Sequence, residues 1–446
     1  MKRSILAAVG LAAVVSLGLS ACSSSGGNDT SSPPSDTPTA DTSPVTISLS
    51  GWSLATTPEF QTLADGFHAA HPNVTVELKE YDAANYDTQL TADLAAGAAP
   101  DVVSLKVLKT FLTYQAGKQL LDISDVAKDL SDKVSGADNY VVDGKTYAIP
   151  YRQDSWLLYY NKDLFDKAGV ATPDGTWTWD DYAAAAKKLT TNLKAAGSPA
   201  LGTYQHGWQS TVQGFADAQT HGVDLTKGDY TFLKPYYDRV LDLQKSGAQV
   251  DYGTVTTNKL TYQAEFGKQQ AAMMPMGSWY VATLLAQQKS GDADTFNWGL
   301  APAPQFDSST TGTSKTPVTF GDPTGMAINA ATAKDDKKLA AAKEFMAYIA
   351  TPEAAKALAG IGIASSYLDD SVVEAYFAVP GAPTDDLSKF AFGTHETKPE
   401  NPVSPYIAGI QDALNDAHSS IMSGSSSVDD AITAATKQIK DQVLTN

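Results

Sequence analysis

The stretch VTISLSGWSLATTPEFQTLADGFHAAHPNVTVELKEYDAANYDTQLTADLAAGAAPDVVSL, residues 45–105, decides the fold class. Val45 to Leu49 alternates β-branched or aliphatic residues with small polar ones and stops at Gly51-Trp52, which predicts a strand and then a loop. Thr57 is placed to cap a helix with Pro58 in its first turn, and Phe60, Leu63 and Phe67 share one face of it. His71-Pro72-Asn73 ends that helix. Val74 to Leu78 repeats the strand pattern, Tyr86 to Ala96 reads as a helix closed by Gly97, and Asp101 to Leu105 is a third strand. This alternation predicts an α/β fold, a parallel sheet with helices on its faces.

Beyond it, 111–116 reads as helix, and Leu120 to Ile123 leads into another. Val141 to Pro150 has two strand-like arms around Asp143-Gly144, a hairpin signal. Ser155 to Tyr160 is a strand and Lys162 to Ala168 a short helix. Thr178 caps a further helix, with Asp180 and Asp181 in its first turn. Helices are predicted over 229–245, 259–268, 339–349, 352–359, 405–419 and 428–444, and strands over 297–300 and 325–329. No internal repeat of solenoid period is present. The roughly 400 residues that carry this pattern exceed what one hydrophobic core usually serves, so two domains or lobes are predicted.

The start of the chain reads differently. Lys2 and Arg3 precede an apolar run, 5–19, too short to span a bilayer core of about 30 Å but suited to a secretory signal. Leu19-Ser20-Ala21-Cys22 then offers small residues before a cysteine and resembles the bacterial lipobox. Residues 1–21 are expected to be a signal peptide, with lipid carried on Cys22. Cys22 is the only cysteine of the 446 residues, which excludes a disulfide scaffold. Residues 23–44 contain no apolar side chain larger than alanine, so 22–44 is expected to be a disordered tether behind the anchor. The formal net charge of −18 falls to −20 without Lys2 and Arg3. That balance argues against nucleic acid or an anionic membrane surface as partner, leaving the lipid as the only link to a membrane.

No catalytic or metal motif stands out. HExxH, GxSxG and a glycine-rich phosphate loop are missing from the sequence, and His68 and His71 suit a helix end. No cofactor or metal is expected. Asp180 and Asp181 are explained by their helix start, although a glycosidase carboxylate pair can be assembled from distant positions. Trp52, Trp208 and Trp279 stand beside Gly51, Gly207 and Gly277 in loops or at element ends. Such aromatics suit stacking on sugar rings, while neighbouring polar groups bond the hydroxyls. Core packing is an equal alternative for each of the three; Trp177 and Trp179, beside a helix cap, read as structural.

Five segments then carry a resemblance in the right order: IPYRQDSWLLYYNKDLF (149–165), TWTWDDYAAAAKKLT (176–190), FGKQQAAMMPMGSW (266–279), FGDPTGMAIN (320–329) and AAKEFMAYIATPEAAKALAG (341–360). Together they resemble the family-1 extracellular solute-binding proteins of ABC importers, which mostly carry sugars. The resemblance covers about residues 45 to 444. It implies a type II periplasmic-binding-protein-like fold, maltose-binding-protein-like, with two lobes, a hinge and a ligand cleft between the lobes. Crossings are expected near 149–152, 299–304 and 362–366. Lobe 1 would then hold 45–150 plus 301–363, and lobe 2 would hold 151–300 plus 364–446. Ligand contacts carried over are Trp52, Ser53, Lys106, Asp154, Trp208, Gly277, Ser278, Trp279 and Asp322. The implied partners are a mono- or oligosaccharide and the transmembrane subunits of a permease, and the implied state is a monomer without enzymatic activity. A lipid-anchored carbohydrate-active enzyme and a surface adhesin are the alternatives. The sequence departs from the family at 362–366, which lacks the usual proline, and at Lys398, where arginine is more usual.

Overall fold

The computed structural model describes residues 43–56 and 58–445. The expected signal peptide, Cys22, the tether up to 42 and the capping Thr57 lie outside the described residues. The strands are β1 (Val45–Trp52), β2 (Val74–Tyr81), β3 (Val102–Leu105), β4 (Val141–Val142), β5 (Lys145–Thr146), β6 (Ile149–Gln153), β7 (Trp156–Asn161), β8 (Met273–Gly277), β9 (Trp298–Pro302), β10 (Val318–Phe320), β11 (Pro323–Ile328) and β12 (Glu396–Lys398). Two main sheets form, ordered β2-β1-β3-β11-β6 and β8-β7-β9. The molecule is a mixed α/β fold of two lobes, one built on each sheet.

The first sheet follows from the opening pattern. β1 and β2 run parallel from Val45↔Val74 to Trp52↔Tyr81, and β1 is parallel to β3. Helix Glu59–Ala70 buries Phe60, Leu63 and Phe67 against the sheet, as their shared face requires. Helix Tyr86–Ala96 stops at Gly97, whose φ of 68° is the left-handed conformation glycine adopts without a Cβ penalty. The sheet is not wholly parallel. β11 is antiparallel to both β3 and β6, because it enters from the second lobe, at the end where β3 and β6 finish.

The second sheet is antiparallel throughout. Trp156↔Gly277 and Leu157↔Pro302 place the start of β7 beside the ends of β8 and β9. Only Asp154 and Ser155 separate β6 from β7. The β4–β5 hairpin turns through Asp143 at φ 51° and Gly144 at φ 75°, both positive as a tight two-residue hairpin needs.

Two helices begin later than their patterns suggest. The first is Lys234–Lys245, because Pro235 fits only the first turn and Asp229 ties the preceding segment into a turn through Thr231 N. The second is Tyr262–Gly267, capped by Thr261, because Lys259 takes a left-handed φ of 51°.

The chain crosses between sheets in three places. The first is 153–156. The second lies at Gly321–Asp322, later than the expected 299–304. Residues 303–319 stay with the second lobe: Gln305 pairs through its backbone with Trp177 and Trp179, and Thr319 Oγ1 donates to Trp156 O at 2.6 Å. The third is 362–367, where Gln153 N donates to Ala364 O and Ser366 N to Tyr151 O. Gly362 in this crossing takes a conformation closed to proline. Its φ is +79°, and a Cβ would stand 3.2 Å from the backbone of Ala282.

Candidate functional site

The two sheets meet end to end at Asp154. The ends of β1, β3 and β6 and the start of β11 face the start of β7 and the ends of β8 and β9. Side chains projected from these ends line the junction, the usual place for a ligand in an open α/β sheet.

On the first lobe, Trp52 closes β1. Its ring meets Phe60 at 4.9 Å and Tyr86 at 5.0 Å, both edge-on. It is therefore buried, not the exposed platform its neighbouring glycine suggested. Ser53 takes φ 52°, an uncommon conformation for a residue with a side chain, and its carbonyl accepts from Thr56 N at 2.9 Å. Lys106 donates from Nζ to Ala83 O at 2.5 Å and lies 5.4 Å from the Trp52 ring. Burial pulls its pKa down while Asp87 pushes it back.

Asp154 is buried at the centre. Its Oδ2 lies 2.7 Å from Arg152 Nε, and its Oδ1 accepts from Ser278 Oγ at 2.7 Å. Arg152 reaches Glu59 with Nη1 at 2.6 Å and Thr324 with Nη2 at 3.3 Å; Tyr151 also donates to Glu59, at 3.1 Å. Burial raises the Glu59 pKa and Arg152 counters it. For Arg152 burial lowers the pKa, but Asp154 and then Glu59 more than reverse that. Glu59, at the N-terminus of its helix, is a charged neighbour of the junction that the sequence did not single out. Arg152 was not singled out either, although it stands in the segment 149–165 that carries the family resemblance.

The second lobe supplies Gly277-Ser278-Trp279. A Cβ on Gly277 would fall 1.9 Å from the Trp279 ring, so only glycine lets that indole fold back beside β8. Ser278 is fully buried and exchanges bonds with Ser155, N to O at 2.9 Å and Oγ from Ser155 N at 3.2 Å. Trp279 is half-buried and edge-on to Trp156 at 5.5 Å, and it lies beside Tyr262, whose pKa burial raises and Trp279 pulls back. Trp208 is 41% exposed and meets His206 at 4.4 Å and Tyr262 at 5.6 Å. Burial pushes the His206 pKa down to about 4, so it is neutral at pH 7. The structure thus joins Trp208 to Trp279 through Tyr262, which the sequence reading did not single out.

Asp322 sits at the second crossing with its oxygens already taken. It accepts from Leu108 N at 3.2 Å, Asn401 N at 3.0 Å and Asn401 Nδ2 at 2.7 Å. It clips the loop after β3 to the segment after β12, a structural role beside the expected ligand contact. Glu400, half-buried, has its pKa raised by burial and then by Asp322. Lys398 donates to Ala218 O at 2.7 Å. His68 and His71 are spent on Val74 O and Glu344. Among the described residues no group of three or more His, Cys, Asp or Glu is placed to hold a metal, and no helix is long and apolar enough to cross a membrane.

The junction therefore offers aromatic faces from one lobe and oriented acceptors between the two. Such a set binds rings that carry many hydroxyls.

The profile of the family described as bacterial extracellular solute-binding protein matches residues 51–356. A sugar transporter of Rhizobium etli, crystallised in an open conformation, is 33% identical with a TM-score of 0.72, over 89% of this chain and 99% of that one. An ABC substrate-binding protein of Listeria monocytogenes, solved with cycloalternan, has a TM-score of 0.71 at 22% identity over 89% and 98% of the two chains, and shows the shared fold. The periplasmic sn-glycerol-3-phosphate-binding protein of Escherichia coli is 28% identical over 269 residues, 55% of this chain and 58% of its own length. A Brucella abortus binding protein is 25% identical over 280 residues, 59% of this chain and 64% of its own. The chain thus spans less than two thirds of the length of these curated relatives.

Proposed function

The chain belongs to the bacterial extracellular solute-binding proteins, and from that premise we propose that it captures a mono- or oligosaccharide between its two lobes and delivers it to the transmembrane subunits of an ABC importer. The observation that carries this reading is the end-to-end junction of the two sheets, with Trp279 and Trp208 on one side and Asp154 buried between. A ligand touching both lobes favours their closed arrangement by its differential affinity, and closure presents the loaded form to the permease. The lobes are 45–153 plus 322–363 and 154–321 plus 364–446, the second return lying at Gly321–Asp322. The ligand set is Trp52, Ser53, Lys106, Asp154, Trp208, Gly277, Ser278 and Trp279; Asp322 acts as a clip.

The protein binds and does not turn over its ligand. It works as a monomer at the outer face of the cell membrane, held by lipid on Cys22 after removal of residues 1–21. Calorimetry with a panel of mono- and oligosaccharides, followed by chromatography of the sugars, tests this. Saturable one-to-one binding with intact sugar is the expected result. Released hydrolysis products would turn the reading towards a carbohydrate-active enzyme.

A further inference from the structure

The second lobe carries a groove away from the junction. β7 has Trp156 at its junction end, opposite Gly277, and Tyr160 near its far end, opposite Met273. At a strand rise of about 3.3 Å per residue, the two lie roughly 13 Å apart. Around Tyr160 an open groove of about 690 Å³ forms between the loop at 172–174, the loop at Thr313 and the helix Asp386–Gly393. Its walls are tied together. Gly312 N donates to Gly175 O at 2.8 Å, and a Cβ on Gly175, whose φ is 88°, would press to 3.2 Å from Leu387. Leu387 and Phe390 give the groove apolar surface.

Two features of this groove point to a ligand. Tyr160 is 3% exposed and lines the groove, yet its hydroxyl has no hydrogen-bond partner among the described residues. Burial, and then Asp385, pushes its pKa up, so it stays a neutral hydroxyl able to accept a bond. The charges are also unbalanced. Lys162 is spent on Asp385 at 2.8 Å, and Asp385 further accepts from Ser388 N at 3.0 Å. Asp174 uses only Oδ1, on Thr176 N at 2.9 Å and the Thr176 hydroxyl at 2.6 Å. Asp174 and Asp386 thus line the groove with no cation paired to either among the described residues. These carboxyls do not converge on one point, since no group of three among the described residues is placed to hold a metal ion. A longer ligand matches them better. Lys162 Nζ already stands 5.8 Å from the centre of the Tyr160 ring, so the ring tolerates a cation beside it.

We propose that this groove is a second ligand site, separate from the interlobe cleft, for an organic cation: an ammonium or guanidinium group on an apolar stem. The stem lies on Leu387 and Phe390, and the charged end meets Asp174, Asp386 and the Tyr160 hydroxyl. A neutral polyol would leave both carboxylates unpaired, and an anion would be repelled. Exposed ion pairs are weak singly, so burial of the stem supplies part of the affinity. The inference stands apart from the capture reading.

The test is titration calorimetry of the full chain at about 0.15 M salt, where diffuse attraction to the chain's charge is screened beyond about 8 Å. Probes are cadaverine and agmatine, with the pentanediol of cadaverine's length as a neutral match. Saturable one-to-one binding of a cationic probe is expected, with the diol at least tenfold weaker. Asp174→Asn combined with Asp386→Asn keeps an acceptor for Thr176 and should weaken the cation at least tenfold. Tyr160→Phe keeps the ring and should weaken it about threefold through loss of one hydrogen bond. Trp279→Ala, in the cleft, should leave it unchanged. If the double variant fails to fold, Tyr160→Phe decides. Equal binding of the diol overturns the charge selection and the inference with it. Undiminished binding in the groove variants, or loss of binding in Trp279→Ala, moves the cation out of the groove and overturns the inference while sugar capture stands. No saturable binding of either cation overturns it outright.

Discussion

Asp322 holds Asn401 twice, accepting from its backbone N at 3.0 Å and from its side-chain amide at 2.7 Å. With the further bond from Leu108 N, this carboxyl ties three segments at the second crossing. Asp322→Ala leaves those donors without partners, and each such loss costs about 1–3 kcal/mol. Denaturant unfolding should show a drop of that order, while sugar affinity falls less than on loss of an aromatic platform. A tenfold loss of affinity at unchanged stability would return Asp322 to the ligand set.

Arg152 between Glu59 and Asp154 makes a sharper prediction. Arg152→Met strands two buried carboxyls, and breaking one side of a buried ion pair costs about 3–5 kcal/mol. Glu59→Gln in the same chain should recover part of that loss, because the second change removes one stranded charge. Strictly additive losses in the double variant would show that the two side chains are not coupled.

Trp279→Ala should weaken sugar binding at least tenfold, about 1.4 kcal/mol, through loss of a stacking face, and Trp208→Ala should act in the same direction. Titration calorimetry measures both. Unchanged affinity in either variant removes that indole from the site.

His418 gives a pH dependence with a definite sign. It is 1% exposed, lies 3.0 Å from the Tyr237 hydroxyl, and burial pushes its pKa from 6.5 down to about 4. Between those values the unfolded chain binds the proton and the folded one does not. The stability it confers is present above pH 6.5 and is lost as pH falls towards 4, by about 3 kcal/mol at most. Unfolding curves at pH 7 and pH 4.5 should therefore converge between the native chain and His418→Gln. Parallel losses in both chains would remove His418 as a source.

Cys22→Ser should move the protein from the membrane fraction to the medium and abolish incorporation of labelled palmitate. Retention of the variant at the membrane would mean another anchor.

The first sheet was legible because its residues obey local rules. Alternation in Val45–Leu49, a shared face at Phe60, Leu63 and Phe67, and Gly97 at a helix end all act within a few positions. The direction of β11 was not, because it depends on where the chain re-enters from the second lobe. Trp52 shows the same limit within the site. Its neighbouring glycine suggested exposure, but Phe60 and Tyr86 cover its ring, and neither contact follows from sequence spacing. Glu59 was readable as a helix start; its pairing with Arg152 joins positions 93 apart and appears only in the folded chain.

The central claim is that two lobes close on a sugar. Small-angle X-ray scattering of the full chain, without ligand and with the sugar that calorimetry shows to be saturating, tests it most directly. A smaller radius of gyration in the saturated sample is the predicted result. Superimposable profiles at full saturation would contradict capture by closure.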